Sequence, residues 1–483
     1  MLCLLWLPGL LPLHASESWP QFRGPDGRAV AASHDVPIHV GPQTNLLWRV
    51  PAHPGHSSLC IWGDRFFLTG HEGEFLIMWS GRLSDGKTLW EHRVRRQGDA
   101  VDYMHDAAQP AMPTPCTDGE RVYFYFGEYG LVARDLEGRL VWEQPLPALK
   151  HMFGTGTSPL IVNDSILLVR DGAEDSAIHS FDTVTGKQRW KMPRFGYGLH
   201  YASPYLWKHA QREEVVIPGT KVLQSFDPSN GEMLWEVQNT TFFPCTTPTS
   251  DGDLLYYSAW TTANVQGEDL LQSFFDEPVA LTPEEIADAR VFVKRFDLNG
   301  DNRVSRDELP PGRMRDAFKF VDRNGDGEWT LEEYGPFHSK QSAPGRNIMV
   351  AVKPGGAGDV TASHVAWEQR RGLPYVASPL AHRGRVYLAK KGGFLTCLDA
   401  VSGEVLYAQE RLGVGGEYYA SPVGVGDHVL VAAERGTLFA VKAGDEFNVA
   451  ARNEFGEHLF ATPAVVNNRI YVRSAKTLWA FGK

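Results

Sequence analysis

A repeating unit runs through most of this chain and limits the folds open to it. Ser-Pro or Thr-Pro begins seven copies of the unit, with the prolines at 115, 159, 204, 248, 379, 422 and 463, which are 41 to 45 residues apart on either side of one interruption. Five copies close with a turn and an aromatic residue, as in Thr185-Gly186 before Trp190, where glycine supplies the positive φ of a hairpin. Four short segments rich in β-branched and aromatic residues fit in each unit. Units of this length with four strands are typical of β-propeller blades.

Counting the copies predicts an eight-bladed ring. Seven copies begin at residues 57, 114, 158, 203, 247, 378 and 421, and an eighth at 461 ends after three strands. The missing fourth strand is supplied by residues 45–50, NLLWRV, whose tryptophan stands at the place it has in the repeat. Pairing the two ends of the chain removes an open edge. The predicted fold class is all-β, an eight-bladed β-propeller of four-stranded antiparallel blades.

Composition and the first residues bear on partners and location. The net charge of −11 leaves no basic stripe for a nucleic acid. Residues 1–16 form a short uncharged apolar stretch that predicts a signal peptide and export, with a buried N-terminal strand as the alternative. This stretch is too short to span a membrane, and we expect no transmembrane segment in the mature chain. Four further cysteines at 60, 116, 245 and 397 are compatible with a disulfide or with simple burial.

The pattern changes from strand to helix within the fifth copy. Thr282-Pro283-Glu284-Glu285 is a helix start, with threonine as N-cap and proline at the first helical position. The expected domains are a signal peptide at 1–16, a propeller at 17–265 with its closing strand at 45–50, a helical insertion at 266–345, and the rest of the propeller at 346–483.

Two twelve-residue loops inside the insertion have the pattern of an EF-hand pair. Calcium prefers six to eight oxygen ligands, which EF-hand loops supply from positions 1, 3, 5, 7, 9 and 12. Position 6 is Gly327 in the second loop and Asn302 in the first, where asparagine tolerates the left-handed backbone. The alternative is a pair of acidic turns without metal. The predicted calcium ligands are Asp297, Asn299, Asp301, Arg303 (carbonyl), Ser305 and Glu308, then Asp322, Asn324, Asp326, Glu328 (carbonyl), Thr330 and Glu333.

Several motifs resemble those of a known family. The recurring Phe-Asp-x-x-x-Gly-x-x-x-Trp unit is similar to the tryptophan-docking repeat of pyrroloquinoline quinone (PQQ) propellers. The whole mature chain resembles exported bacterial PQQ-like β-propeller proteins, which often carry an EF-hand pair. The matching motifs are WPQFRGPDG at 19–27, TPCTDGERVYFYFG at 114–127, GLPYVASPL at 372–380, YYASPV at 418–423 and ATPAVVNNRIYVR at 461–473. The resemblance implies a fold more than an activity. Quinoprotein dehydrogenases hold PQQ against a tryptophan and a vicinal cysteine pair. This sequence has no vicinal cysteine pair, so PQQ is a possible cofactor that the cysteine pattern does not support.

The loops that precede each first strand should ring one mouth of the central pore. They carry polar and aromatic residues that could together hold a metal, a sugar or another polar ligand. The alternative is that each residue caps its own blade. The candidate cluster is His56, His105, His151, His200, Tyr201, Glu417, Tyr418 and His458, with Tyr375 nearby.

Three functions fit this sequence. The first is an exported calcium-binding propeller that acts as a binding or scaffold module for a protein or saccharide ligand. The second is a quinoprotein-type oxidoreductase, and the third is an enzyme that acts on saccharides or other extracellular substrates.

The insertion replaces a loop between second and third strands, so it should lie on the same face as the candidate cluster.

Overall fold

The described residues of this computed structural model are 18–97, 107–149, 153–171, 176–194, 200–261, 279–316, 318–322, 324–342 and 345–483. They form eight antiparallel blades, each of four strands in simple up-and-down order. The predicted signal peptide at 1–16, and the candidates His105 and His151, lie outside these residues.

The strands follow the repeat. Blade by blade they are Cys60–Trp62, Arg65–Glu72, Phe75–Arg82 and Thr88–Arg95 in blade 1; Cys116–Thr117, Arg121–Phe126, Gly130–Asp135 and Leu140–Pro145 in blade 2; Leu160–Val162, Ser165–Arg170, Ala177–Asp182 and Gln188–Pro193 in blade 3; Tyr205–Lys208, Glu213–Gly219, Val222–Phe226 and Met233–Gln238 in blade 4; Thr249–Ser250, Leu255–Ala259, Ile348–Val352 and Val365–Gln369 in blade 5; Leu380–His382, Arg385–Lys390, Phe394–Asp399 and Val405–Arg411 in blade 6; Val423–Val425, His428–Ala433, Thr437–Lys442 and Val449–Glu454 in blade 7; and Ala464–Val466, Arg469–Arg473, Thr477–Phe481 and the closing strand Leu46–Pro51 in blade 8.

The ring closes as predicted. The strand Leu46–Pro51 pairs antiparallel with Thr477–Phe481, with Trp48 opposite Ala480. A two-residue strand, Gly358–Asp359, adds to the outer edge of blade 4 in parallel. Covering an outer edge leaves fewer unpaired backbone groups exposed to another chain.

The repeated tryptophan and glycine lock neighbouring blades together. Trp142, from the last strand of blade 2, donates its indole N–H to the Thr183 carbonyl in blade 3 at 2.9 Å. Gly186 has φ of 70°, and a Cβ built there would lie 2.6 Å from the Trp142 ring. Trp48 makes the same kind of bond to Leu83, across the closure, at 3.0 Å. Five of the eight junctions pair a tryptophan with a glycine turn of the next blade in this way, at Gly86, Gly138, Gly186, Gly231 and Gly403.

The helical segment interrupts blade 5 between its second and third strands, at the place that the sequence predicts. Its α-helices are Pro283–Ala287, Ala289–Phe296, Arg313–Asp316, Phe318–Val321 and Leu331–Ser342, and its short strands are Val304–Ser305 and Glu328–Trp329. A further helix is Thr361–His364, and Pro25–Gly27 and Arg306–Glu308 are 3-10 turns. Thr282 caps the first helix, with the reciprocal Glu285 contact of a capping box. No helix among the described residues is long and apolar enough to cross a membrane.

Residues 19–31 form a plug inside the ring, which the sequence did not indicate. Trp19 pairs with Ile61 of blade 1, Arg23 reaches Thr247 on the opposite side in blade 5, and Val30 pairs with Gly424 of blade 7, so the segment crosses the axis. Arg23 is fully buried and donates to the carbonyls of Thr247, Pro248 and Pro379. This segment, which is rich in polar residues, glycine and proline, is therefore part of the core.

Candidate functional site

The central cavity has a floor made of eight hydroxyl groups, one from each blade. Each hydroxyl accepts a hydrogen bond from the backbone N–H of the corresponding residue in the preceding blade, at distances of 2.9 to 3.2 Å, and the last bond runs from Thr462 N–H to Ser58 Oγ. The ring is Ser58, Thr114, Ser158, Ser203, Thr247, Ser378, Ser421 and Thr462. The repeated Ser/Thr-Pro of the sequence is thus a continuous hydrogen-bonded belt, completed by Ser58, which no proline follows.

The wall of the cavity comes from the residues two positions before the floor. The cavity has a volume of about 380 Å³, and all eight of these residues line it. They are His56, Met112, Gly156, Tyr201, Cys245, Val376, Tyr419 and Phe460. Phe153, Phe243 and Tyr375 from the same loops add further rings, and Phe22 of the plug also lines the cavity.

The plug lies on the other side of the hydroxyl floor from this wall. It contacts positions after the floor residue: Pro248 and Pro379, one residue on, and Ile61, Thr117 and Gly424, three residues on. The cavity therefore opens on the face of the loops that precede first strands, and the plug blocks the channel below it.

The predicted pore-mouth residues divide into three groups. His56, Tyr201 and Glu417 line the cavity, as does Tyr375. His105 and His151 lie outside the described residues. His200, Tyr418 and His458 are described but do not line the cavity, so the structure corrects their predicted place.

These three residues are engaged elsewhere. His200 is buried with its Nδ1 3.8 Å from Asp171 Oδ2, and Arg194 donates to the same carboxylate. Burial raises the pKa of Asp171 to about 6, although Arg194 acts in the opposite direction. Tyr418 donates to the Val414 carbonyl at 2.9 Å, and His458 pairs with Glu434.

The physical reason is register. Side chains of extended backbone alternate between faces, so a shift of one residue moves a side chain out of the cavity. Tyr201 and Tyr419, rather than His200 and Tyr418, have the inward register. His458 is a different case: it lies four residues before the floor residue Thr462, beyond the wall position that Phe460 occupies, and it pairs with Glu434 instead. The fixed spacing of two from Ser/Thr is the signal that could have found Tyr419 and Phe460.

One side of the wall is a ladder of rings. His56 stacks on Phe460 with centroids 4.1 Å apart and planes at 19°, and Tyr419 stacks on Phe460 at 5.7 Å and 27°. Tyr375 meets Trp260 edge-on at 5.9 Å. Stacked and edge-on pairs are favourable arrangements of aromatic rings, and they present flat apolar surface to a ligand.

Burial drives the titratable groups of the wall towards their neutral forms. It lowers the pKa of His56 to about 3, with a further contribution from the positive charge of Arg473. It raises the pKa of Cys245 to about 12 and that of Tyr375 to about 12. Lys391 and Glu417 pair with each other, with Nζ and Oε1 3.3 Å apart, and both are partly exposed.

The two acidic loops of the insertion are wrapped around their first aspartates. Asp297 accepts backbone N–H groups from Gly300, Asp301 and Asn302, and Asp322 does so from Gly325, Asp326 and Gly327. At position 6, Asn302 has φ of 65° and Gly327 has φ of 85°. Val304 and Trp329, at position 8 of their loops, face each other in an antiparallel bridge that joins the two loops. No three His, Cys, Asp or Glu side chains converge on a metal position in the part of the chain that is described.

A pair of phenylalanines connects the insertion to the cavity. Phe242 belongs to the apolar core of the insertion, with Phe292, Trp329 and Tyr334, while the adjacent Phe243 lines the cavity. The two rings meet edge-on at 4.6 Å. The insertion therefore lies on the cavity face, where its place in blade 5 predicts it.

The four described cysteines, Cys60, Cys116, Cys245 and Cys397, are free thiols. They come from four different blades, and only Cys245 lines the cavity. A vicinal pair is absent, as the sequence already indicates.

Together the eight blades, the tryptophan docking and the central cavity define a β-propeller of the PQQ-like repeat class. The chain belongs to the family described as outer membrane protein assembly factor BamB, whose model matches residues 138–268 and 289–481. A search of curated proteins finds no match.

Solved structures share the fold at low sequence identity. BamB from Moraxella catarrhalis is 13% identical with a TM-score of 0.52, over 89% of this chain and 100% of that chain. A europium-containing methanol dehydrogenase is 9% identical with a TM-score of 0.56, over 97% and 98%. A quinohemoprotein alcohol dehydrogenase from Pseudomonas putida HK5 is 12% identical with a TM-score of 0.51, over 96% and 80%. Similarity at such low sequence identity shows a shared architecture and says nothing about a shared chemistry.

Proposed function

We propose that this protein is an exported binding propeller, whose cavity receives a segment of a partner protein and whose inserted loops bind two calcium ions. The observation that carries the proposal is the wall of the cavity. Eight loops contribute to it, it is mainly apolar and aromatic, and burial favours the neutral forms of His56, Cys245 and Tyr375. Apolar sites with a few placed polar groups are suited to binding.

The same observation weighs against acid–base or nucleophilic catalysis in the cavity. A general acid or base works best with a pKa near the operating pH, whereas the pKa of His56 is about 3 and that of Tyr375 about 12. A reactive cysteine needs an accessible thiolate, and burial raises the pKa of Cys245 to about 12. These side chains are better suited to contacting a ligand than to moving its protons.

The alternative is a quinoprotein-type oxidoreductase, and the residues of the cavity do not fit the group it would need. The resemblance implies a tryptophan beside PQQ, a vicinal cysteine pair and a calcium site inside the propeller. The cavity is lined by no tryptophan, one cysteine and one carboxylate, that of Glu417, among the described residues. We therefore derive no redox step from this site.

Calcium binding rests on the chemistry of the two loops. Each has oxygen-bearing groups at the six ligand positions and a left-handed residue at position 6, and a bridge joins the loops. Both glutamates at position 12, Glu308 and Glu333, already reach back to their loops by accepting N–H groups from Ser305 and Thr330. Weak affinity, about 10⁻⁴–10⁻³ M, would be in the range of extracellular modules.

Calorimetry with calcium tests this half of the proposal. We expect two binding events in the wild type and the loss of one in Glu333→Gln, because a bidentate ligand is removed. Glu332→Gln is the matched control, since Glu332 is the exposed neighbour of Glu333 and has no ligand position. Equal heats in all three proteins would contradict calcium binding at the second loop.

Peptide selection tests the other half. A library of random peptides displayed on phage is selected against the wild type, and the enriched peptides are measured against two variants. Phe460→Ala removes a ring from the wall and should weaken them by about tenfold or more. Val401→Ser changes a side chain that is 77% exposed and is absent from the cavity lining, and it should have no effect. Peptides that bind Phe460→Ala with the same affinity as they bind the wild type would show that the cavity is not the binding site.

A further inference from the structure

The hydroxyl floor of the cavity retains unused hydrogen-bond donors. Each of the eight hydroxyls accepts one N–H, and none donates its own proton to an acceptor in the described residues. A hydroxyl has one donor besides its two acceptor positions. The floor therefore offers a circle of O–H groups to whatever enters the cavity.

Two buried arginines lie immediately behind this floor. Arg23 donates to the carbonyl of Thr247, a floor residue, and Arg473 donates to both the carbonyl and the hydroxyl of Ser57, which is between His56 and Ser58. Their relative exposures are 0% and 1%. Burial lowers the pKa of Arg23 to about 10 and that of Arg473 to about 9, so both remain charged at neutral pH.

Neither guanidinium has a carboxylate partner among the residues that are described. Both bind neutral oxygen atoms, and each keeps a buried Nε–H without a partner. Buried charges are ordinarily paired. Of the described residues that line the cavity, the one acidic side chain is Glu417, and Lys391 already pairs with it. Within this part of the chain, no carboxylate compensates the positive charge behind the floor.

We propose that the cavity binds an anionic group, a carboxylate, phosphate or sulfonate, carried on an apolar or aromatic body. The anion faces the hydroxyl floor, where O–H groups can donate to it and the two guanidiniums attract it through a medium of low dielectric constant. The aromatic wall holds the body of the ligand. This inference deepens the proposed function and rests on it, because it states which part of a partner would enter.

Two dyes with the same aromatic skeleton test the role of the charge directly. 8-Anilinonaphthalene-1-sulfonate carries a sulfonate, and N-phenyl-1-naphthylamine is its neutral counterpart. We expect the sulfonate dye to bind the wild type at least about tenfold more tightly, as measured by fluorescence titration. Its binding should fall in Phe460→Ala and be unchanged in Val401→Ser. Equal or tighter binding of the neutral dye would overturn the proposal.

Charge-removing variants then locate the source of the preference. Arg23→Met and Arg473→Met should each reduce the ratio of the two affinities several-fold, whereas Arg139→Met, at a side chain 77% exposed in the outer turn of blade 2, should leave it unchanged. Circular dichroism identifies a variant that does not fold. The comparison of dyes on the wild type needs no variant and decides the proposal in either case.

The outcomes separate this inference from the proposed function. Selected peptides that require Phe460 but carry no acidic group or free carboxylate in the contact would uphold a protein partner and overturn the anion site. A strong preference for the sulfonate dye, with no peptide that depends on Phe460, would uphold the anion site and indicate a small free anion. Acidic peptides displaced by the sulfonate dye would support both.

Discussion

The floor and the wall of the cavity come from the same eight segments, at positions two residues apart. Every floor residue is Ser or Thr, and every one accepts the same bond from its neighbour. The eight wall positions hold seven different residue types, from Gly156 to Phe460. The floor has a structural role that is the same in every blade, because each hydroxyl accepts a hydrogen bond from a buried backbone N–H group. The wall is under no such requirement, so its composition reflects what the cavity contacts.

The largest effect on stability should follow from opening the closed ring of blades, which supports both the floor and the wall. Deleting residues 18–50 removes the plug and the closing strand, and leaves Thr477–Phe481 as an open edge. We expect aggregation, or a melting temperature lower by on the order of 10 °C or more. Deletion of residues 1–17 alone is the control and should melt with the full chain. If the longer deletion also melted at the temperature of the full chain, ring closure would contribute nothing to stability.

A smaller effect should follow from opening one link of the floor. Thr462→Val keeps the shape of the side chain but removes the acceptor for the Ser421 N–H. A buried donor left without a partner should lower the free energy of unfolding by about 1–3 kcal/mol, measured by urea denaturation. Thr462→Ser keeps the hydroxyl and is the matched control. A valine variant as stable as wild type would mean that the belt is not a source of stability.

Within the wall, His56 should make stability depend on pH. Its pKa is about 3 in the folded protein and near 6.5 when unfolded, so the unfolded state binds the proton more readily between these values. Stability should then fall as pH decreases below 6.5, by up to about 1 kcal/mol per pH unit from this residue. His56→Phe should flatten that slope. His458→Phe, at an exposed position, should retain it, and identical slopes in all three proteins would contradict the burial of His56.

The smallest change in stability should come from Phe460, two residues before Thr462. Phe460→Leu keeps apolar volume in the wall and should alter the free energy of unfolding by no more than about 1.5 kcal/mol. Binding of the sulfonate dye should nevertheless weaken, because the ring that stacks on His56 and Tyr419 is lost. Thr462→Val should do the reverse, with a large effect on stability and a small one on the dye. If both variants changed the free energy of unfolding and the affinity for the dye to the same extent, the distinction between floor and wall would be wrong.

The same division explains what could be read from the sequence. The floor hydroxyl recurs in every blade, Ser/Thr-Pro in seven blades and the glycine–tryptophan contact at five junctions, so the repeat predicts eight blades, their closure and the insertion point. The wall depends on which residues of each loop face inward. Polarity indicated His200, Tyr418 and His458, which do not line the cavity, and gave no reason to select Tyr419 and Phe460, which do. The alternation of side chains could have resolved this only once the hydroxyl ring was fixed as a reference.

The plug and the arginines could not be read from the sequence for a different reason. Arg23 binds carbonyls that are 224, 225 and 356 residues away along the chain, and Arg473 reaches 404 to 420 residues back. Backbone carbonyls are present at every residue, so no local pattern marks these particular ones as partners. The contact between Phe242 and the insertion likewise joins two segments that have no periodicity in common.

The closure of the ring has a consequence for how the protein is made. Leu46–Pro51 is among the first strands to be synthesised, but its partner Thr477–Phe481 is the last. Until the ribosome has added residues 462–481, blade 8 is incomplete, and the final bond of the belt, from Thr462 to Ser58, cannot form. Contacts this distant along the chain slow folding and leave a growing chain with unpaired edges. A nascent or truncated product should therefore be the species most in need of a chaperone, and its rescue should require residues 464–481, which complete blade 8.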